Sequence, residues 1–208
     1  MAGYVSGVTT ILLARHGETD WNSERRWQGH ADRPLNEVGR AQAHELAEAV
    51  VDRGISAIYA SDLLRARQTA DIAGSRLELD VLADRELREV DVGEWSGLSI
   101  DEAETRFPAG FRRWQQGLHG WQEGESYEEM GQRVIRAVLA IAERHPDETV
   151  LVVTHGGSIR ACRAAVAGVD YATSRLTDLR TTGNCDVVEL IVEDGRLAHA
   201  AAPGAVAP

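Results

Sequence analysis

Residues 9–19 read TTILLARHGET, and residues 149–157 read TVLVVTHGG. Each is a short apolar run that stops abruptly in a polar cluster, the pattern of a strand buried on both faces of a parallel sheet. Each run ends just before a histidine, His16 or His155, and glycine follows. In an open α/β sheet, ligands bind at the carboxyl edge of the strands. Glycine at that edge lets backbone amides come close to a ligand. Gly156 and Gly157 also open a helix, whose first amides and dipole favour an anion. One histidine of this kind reads as a satisfied turn residue. Two in matching positions, one of them preceded by Arg15, read as a site.

Outward from these strands the pattern alternates. Asn36 caps a helix that runs to about Arg53, with Val38, Leu46, Ala49 and Val50 toward the core and Gly54 as its stop. Residues 57–60 read as a second strand, and Ser61 or Asp62 as the cap of a helix ending near Arg76. Around Pro108 the chain is irregular and holds Trp95, Phe107, Phe111, Trp114 and Trp121. Ser126 precedes a long helix with Met130, Val134, Ala137, Val138 and Ile141 on one stripe, and a further helix runs from Gly156 to about Ala167. Residues 187–192 and the turn Glu193-Asp194-Gly195 suggest a closing hairpin. The whole predicts one domain of the α/β class, a three-layer α/β/α sandwich on a mostly parallel central sheet. Residues 1–8 and 199–208 are expected to be frayed ends.

Composition narrows the chemistry. A chain of 208 residues can bury a sizeable core without disulfide or metal staples. Its net charge of -11 argues against nonspecific nucleic-acid binding and against anionic membrane surfaces. It leaves room for a small anionic substrate in a local pocket of Arg and His. All 22 basic residues are arginine, which excludes a Schiff-base lysine, a pyridoxal-phosphate anchor and a P-loop lysine. No apolar run approaches the roughly 18 residues of a membrane span. Cys162 and Cys185 are too few and too far apart for a disulfide framework or a zinc site. Reduced thiols in a cytoplasmic compartment are therefore expected, with no cofactor and no metal. A homodimer through an edge strand is compatible with this pattern.

The strand-end motif and its followers resemble one family. Leu13-Ala14-Arg15-His16-Gly17-Glu18-Thr19 with Trp21-Asn22 resembles the signature of the histidine phosphatase superfamily, phosphoglycerate-mutase-like branch. The other pieces come in that family's order. Leu35-Asn36-Glu37 with Gly39 and Gln42-Ala43 resembles its first helix, and Ser61-Asp62-Leu63 with Arg65-Ala66 and Gln68-Thr69-Ala70 its second. Leu87-Arg88-Glu89 with Gly93, Trp95 and Gly97 resembles its acid loop, and Gly124-Glu125-Ser126 the start of its long helix. Thr154-His155-Gly156-Gly157 with Ile159-Arg160 resembles its second histidine, and Asn184-Cys185 the start of its last strand. The ordered set carries the resemblance far better than any single piece. It implies the phosphoglycerate-mutase-like fold over about residues 9–193.

It also implies roles. His16 would be the nucleophile, an imidazole that takes a phosphoryl group as phosphohistidine, its other ring nitrogen held by a backbone carbonyl. Glu89 would be the general acid and base, with Glu86, Asp91 and Glu94 as rivals in the same acidic stretch. Arg15, Arg65 and His155 would neutralise the phosphoryl oxygens. Thr19, Asn22, Gln28 and Gly156 would add donors at the phosphate. Glu18 reads as structural. Arg112-Arg113 reads as a solvated pair, with capture of a substrate carboxylate as the alternative. His30, His44, His119, His145 and His199 show no partner pattern. Trp21 and Trp27 read as pocket wall or packing.

The family divides into mutases and phosphatases. Mutases hold a bisphosphate with a Tyr shortly after the acid Glu, a Lys in the next loop and an Asn after the second His-Gly. Here those places hold Val92, Ile100 and Gly157. The expectation is therefore a metal-independent phosphomonoesterase acting on a small phosphorylated metabolite. A cofactor-dependent phosphoglycerate mutase is the alternative within the family. A catalytically silent interaction module on the same fold is the alternative of a different class.

Overall fold

The first strand, β1 (Thr9–Arg15), lies at the centre of the computed structural model, which describes residues 7–177, 179 and 182–200. It pairs in parallel with β4 (Thr149–Thr154) and antiparallel with β5 (Val187–Glu193). With β2 (Ile55–Ala60), β3 (Val81–Ala83) and β6 (Arg196–His199), the sheet has the order β3-β2-β4-β1-β5-β6. The first four strands in that order run parallel, and β5 and β6 form the expected antiparallel hairpin. The sheet is thus mixed, parallel on the side that carries both histidines.

Strand residues alternate between two cores. Ile11, Leu13, Val150 and Val152 meet α6 (Tyr127–Arg144) and α7 (Gly156–Ala167) on one face, together with Trp95 and Trp121. Leu12, Ala14, Leu151 and Val153 meet α2 (Glu37–Val50) and α3 (Leu64–Leu77) on the other. Burial on both faces is why these strands lack a polar alternation.

The helices depart from the sequence reading in instructive ways. Ser126 caps α6 through a reciprocal pair with Glu129, and Asn36 caps α2 through Gly39 N–H, as expected. In α2, however, Val38 and Ala49 are exposed, and Ala43 and Ala47 take their places in the core. Neither Ser61 nor Asp62 caps α3. Ser61 Oγ is engaged by His155, and Asp62 makes a bidentate pair with Arg88 (both 2.6 Å). The first amide of α3, Leu64 N–H, donates instead to Asp32 (2.6 Å), far back in sequence. The stretch around Pro108 is less irregular than expected: it forms α4 (Ile100–Arg106) and α5 (Pro108–Gln115), with Pro108 at the first helical position. Two more short helices complete the chain, α1 (Asp20–Ser23) and α8 (Tyr171–Leu176). Of the ends expected to fray, residues 1–6 and 201–208 lie outside the described residues, Val8 is tied to Asp147 and His199 closes β6. Among the described residues, no helix is long and apolar enough to cross a membrane.

Candidate active site

The β1–β4 register sets the two histidines side by side. Arg15 pairs with Thr154, so the next residue of each strand, His16 and His155, leaves the sheet at the same level. Their rings meet edge-on with centroids 5.2 Å apart. The loop after His16 lies flat against the start of α2, where a Cβ on Gly17 would stand 2.4 Å from the Gly39 carbonyl oxygen. Glycine at 17 is therefore a packing requirement as well as a ligand-access feature.

His16 is 4% exposed, and its Nδ1 lies 2.7 Å from the Gly17 carbonyl. A carbonyl only accepts, so Nδ1 carries the proton and Nε2 keeps its lone pair. Arg65 Nε donates to that Nε2 at 3.3 Å. Burial, and then the charges of Arg65 and Arg15, hold the His16 pKa well below the usual histidine value. His155 is also held well below it, first by burial and then by Arg65. His155 Nε2 meets Ser61 Oγ at 2.8 Å.

Two arginines flank these rings. Arg65 is 1% exposed and donates to the Gly29 and Ala31 carbonyls as well as to His16. Its burial brings its pKa down from 12.5 to about 10. Arg15 Nη1 donates to the Thr182 carbonyl at 2.7 Å. Among the described residues, Arg15 Nε and His155 Nδ1 are buried without a hydrogen-bond partner, as is Trp27 Nε1 in the adjoining wall. The Arg15 N–H is a buried donor that calls for an acceptor, and the oxygens of an anion supply one; His155 Nδ1 is a second such donor in the tautomer in which Ser61 Oγ donates to Nε2.

Glu89 closes the arrangement. Its carboxylate accepts from its neighbour Val90 N–H (3.0 Å) and from Gly157 N–H (3.0 Å) at the start of α7. A Cβ at Gly157 would lie 2.2 Å from Glu89 Oε1, so a side chain there would displace the carboxylate. The rivals face elsewhere. Asp91 accepts from Gly93 N–H, Glu94 from Gln122 and Glu123 N–H, and Glu86 turns only its carbonyl inward, to Arg133.

A cavity of about 470 Å³ gathers most of these groups: Arg15, His16, Arg65, Glu89 and Gly156 line it together with Asn22 and Gln28. His155 lies behind that wall, fully buried against His16. Thr19 departs from the sequence reading. It is fully buried outside the wall, where its hydroxyl caps α1 and bonds Asn22 and Gln28. Its bonds tie it to two amides that do line the cavity. Glu18 is structural, accepting from Asn36. Arg112 and Arg113 are exposed on α5 and stand outside the cavity lining, and Arg113 Nη2 donates to the Gly120 carbonyl (3.2 Å). Trp27 and Trp114 line the wall, whereas Trp95 and Trp121 are core.

The sequence reading misses the outer wall. Arg25, Arg26, Arg160 and Arg175 line it with Tyr127 and Tyr171. Arg175 stacks over Trp114 (4.8 Å) and Tyr127 (5.2 Å), and Tyr127 stacks on Tyr171 (4.5 Å). Six arginines and one carboxylate thus line a cavity in a chain of net charge -11, a local field suited to an anion.

The buried histidines set a pH dependence. Their folded pKa lies below the unfolded one, so below about pH 6.5 the unfolded chain binds the extra protons. Stability is therefore lost on acidification in that window, by up to about 1.4 kcal/mol per pH unit for each histidine. The melting temperature is expected to fall between pH 7 and pH 5. Thermal melts of His155→Gln should show a shallower fall.

Residues 11–201 match the histidine phosphatase superfamily (branch 1). The chain is 40% identical to a phosphoglycerate mutase-like protein 4 of Arabidopsis thaliana, over 73% of this chain and 68% of that one. It is 36% identical to a phosphoserine phosphatase 1 of Hydrogenobacter thermophilus, over 78% of each chain. A mycobacterial glucosyl-3-phosphoglycerate phosphatase, solved with VO3, superposes with a TM-score of 0.79 at 33% identity, over 87% of this chain and 90% of that one. With the paired histidines, the two arginines and the ordered motifs all in place, this chain belongs to branch 1 of the histidine phosphatase superfamily.

Proposed function

We propose that the protein is a metal-independent phosphomonoesterase acting through a phosphohistidine on His16. The observation that carries this reading is the unprotonated His16 Nε2, held by the Gly17 carbonyl on its far side and set among Arg15, Arg65 and His155. Nε2 attacks phosphorus as the ester P–O bond breaks, and Glu89 gives its proton to the departing alkoxide. Water then attacks the phosphohistidine, Glu89 takes a proton from it, and the P–N bond breaks to free inorganic phosphate. Arg15, Arg65 and a His155 N–H neutralise the phosphoryl oxygens, so positioning and charge supply the catalysis. Among the described residues, no three His, Cys, Asp or Glu side chains gather to hold a metal.

The outer wall suits an alcohol that carries a second anionic group, since Arg160 and Arg175 stand beside Tyr127 and Tyr171 there. Two similar proteins named for phosphoserine and for glucosyl-3-phosphoglycerate agree with that class. The mutase reading is favoured by the name of the Arabidopsis relative. Against it, Val92 and Ile100 are apolar parts of the cavity wall, and Gly157 has no room for a side chain beside Glu89.

A panel of phosphomonoesters in excess EDTA tests the proposal. Full turnover of an aryl phosphate is expected in EDTA. Carboxylate-bearing esters should exceed neutral-alcohol esters by roughly 10-fold in kcat/KM, about 1.4 kcal/mol of selective binding. Loss of turnover in EDTA, or efficient interconversion of 3- and 2-phosphoglycerate with 2,3-bisphosphoglycerate, would reject the reading.

A further inference from the structure

The loop that carries Glu89 has almost no regular structure of its own. It runs between two short 3-10 turns, Arg85–Leu87 and Gly93–Trp95. A carboxylate on such a loop wanders unless something outside the loop fixes the backbone. The fixing group stands on α6. Arg133 Nη1 donates to the carbonyls of Glu86 (2.7 Å) and Arg88 (3.1 Å), and Nη2 to the carbonyl of Glu89 (3.3 Å). Its remaining two N–H groups make a bidentate pair with Glu125, at 2.8 and 2.6 Å. Every donor of the guanidinium is thereby used once. Both partners are largely buried, their side chains 14% and 18% exposed.

We propose that Arg133, oriented by Glu125, is the positioning residue that holds Glu89 at its place over His16. The proposal rests on the reading of Glu89 as general acid. Three carbonyls within four residues converge on one guanidinium, so the loop is wrapped around it and its backbone follows where α6 places that group. Arginine suits this role, since its five N–H groups form a rigid planar fork. A lysine ammonium is a point charge with three donors and would leave at least two of these acceptors unmet. The role also accounts for Glu125, which the sequence marks only as the start of the long helix. It immediately precedes Ser126, the cap of α6, and its carboxylate faces back to Arg133. A second anchor comes from outside α6. His30 Nε2 donates to the same Glu89 carbonyl at 2.8 Å, which gives an otherwise unassigned histidine a place.

A general acid matters in proportion to how badly the leaving alcohol needs its proton. The test is first-turnover release of alcohol, read before dephosphorylation, from an alkyl phosphate and from 2,4-dinitrophenyl phosphate. Glu89→Gln is the reference and is expected to lose on the order of 10²-fold or more with the alkyl ester and far less with the dinitrophenyl ester. Arg133→Lys should show the same selectivity at smaller size, roughly 10-fold on the alkyl ester and under about 3-fold on the other, with KM little changed. His30→Ala, which leaves no buried charge unpaired, should reproduce the selectivity if Arg133→Lys folds poorly in thermal melts. If Glu89→Gln is selective while Arg133→Lys and His30→Ala slow both esters equally or neither, the positioning role is wrong and the reading of Glu89 survives. If Glu89→Gln itself shows no selectivity, both fall together.

Discussion

Replacing His16 with alanine is expected to lower turnover of every phosphomonoester by on the order of 10⁴-fold or more, with no loss of fold. The ring is the bond-forming group in the proposed reaction, and no neighbour can take its place. His155 is turned to Ser61, and the residual chemistry of the arginine cage could bind phosphate without activating it. Stability should change little. The His16 ring is held uncharged in a buried site, and its hydrogen bonds are one to its own neighbour's carbonyl and one from Arg65. The decisive measurement pairs steady-state rates with trapping. Wild type quenched in alkali during turnover should retain one phosphoryl group per chain, labile in acid as a phosphoramidate is, and His16→Ala should retain none. A variant with more than about 1% of wild-type turnover would place the nucleophile elsewhere.

The parts of this site that were legible in the sequence share a physical feature: local chain geometry fixes them. A residue that follows a parallel strand must emerge at the sheet's carboxyl edge. His16 and His155 could therefore be placed together from two apolar runs, and the register made them neighbours. Glu89 could be separated from its acidic rivals only by resemblance, because all four stand in one exposed-looking stretch. What distinguishes it in the fold is the amide of Gly157, brought from a distant segment. The outer wall was illegible for the same reason. Arg160 and Arg175 sit on helices as ordinary charged residues do, and Tyr127 and Tyr171 open their helices with no motif to mark them. Only the packing of α6, α7 and α8 turns them toward one cavity. Thr19 stands outside the cavity lining. Its motif position is right, but its hydroxyl is engaged as a helix cap, which the sequence signature does not separate from ligand binding. Val38 and Ala49 misled because an alanine-rich helix gives a weak stripe, and small residues at 43 and 47 let α2 approach the sheet more closely.

Arg65→Met is expected to remove roughly 10³-fold from kcat/KM while shifting the melting temperature by no more than a few degrees, an unusual pairing for a residue 1% exposed. Two opposing effects decide the second half. The fall of the Arg65 pKa from 12.5 to about 10 means that its charged form is disfavoured by burial, an effect of about 3 kcal/mol that a methionine of similar length would relieve. Against that, two carbonyls and the buried His16 Nε2 lose a donor. The carbonyl on Gly29 is buried, and leaving it unmet costs about 1–3 kcal/mol; the one on Ala31 is partly exposed and can turn to water. The two effects oppose each other and are of the same order, so the fold should tolerate the change. Function should not, because no carboxylate pairs directly with Arg65 among the described residues and its charge is left for the phosphoryl oxygens. Inorganic phosphate separates the two roles. At about 100 times its Kd it should stabilise the wild type by about 2.7 kcal/mol, some 5 °C or more in melting temperature for a chain of this size. The same addition should leave Arg65→Met almost unmoved. A variant that melts far below the wild type, or that phosphate stabilises as well as it does the wild type, would make Arg65 a structural arginine.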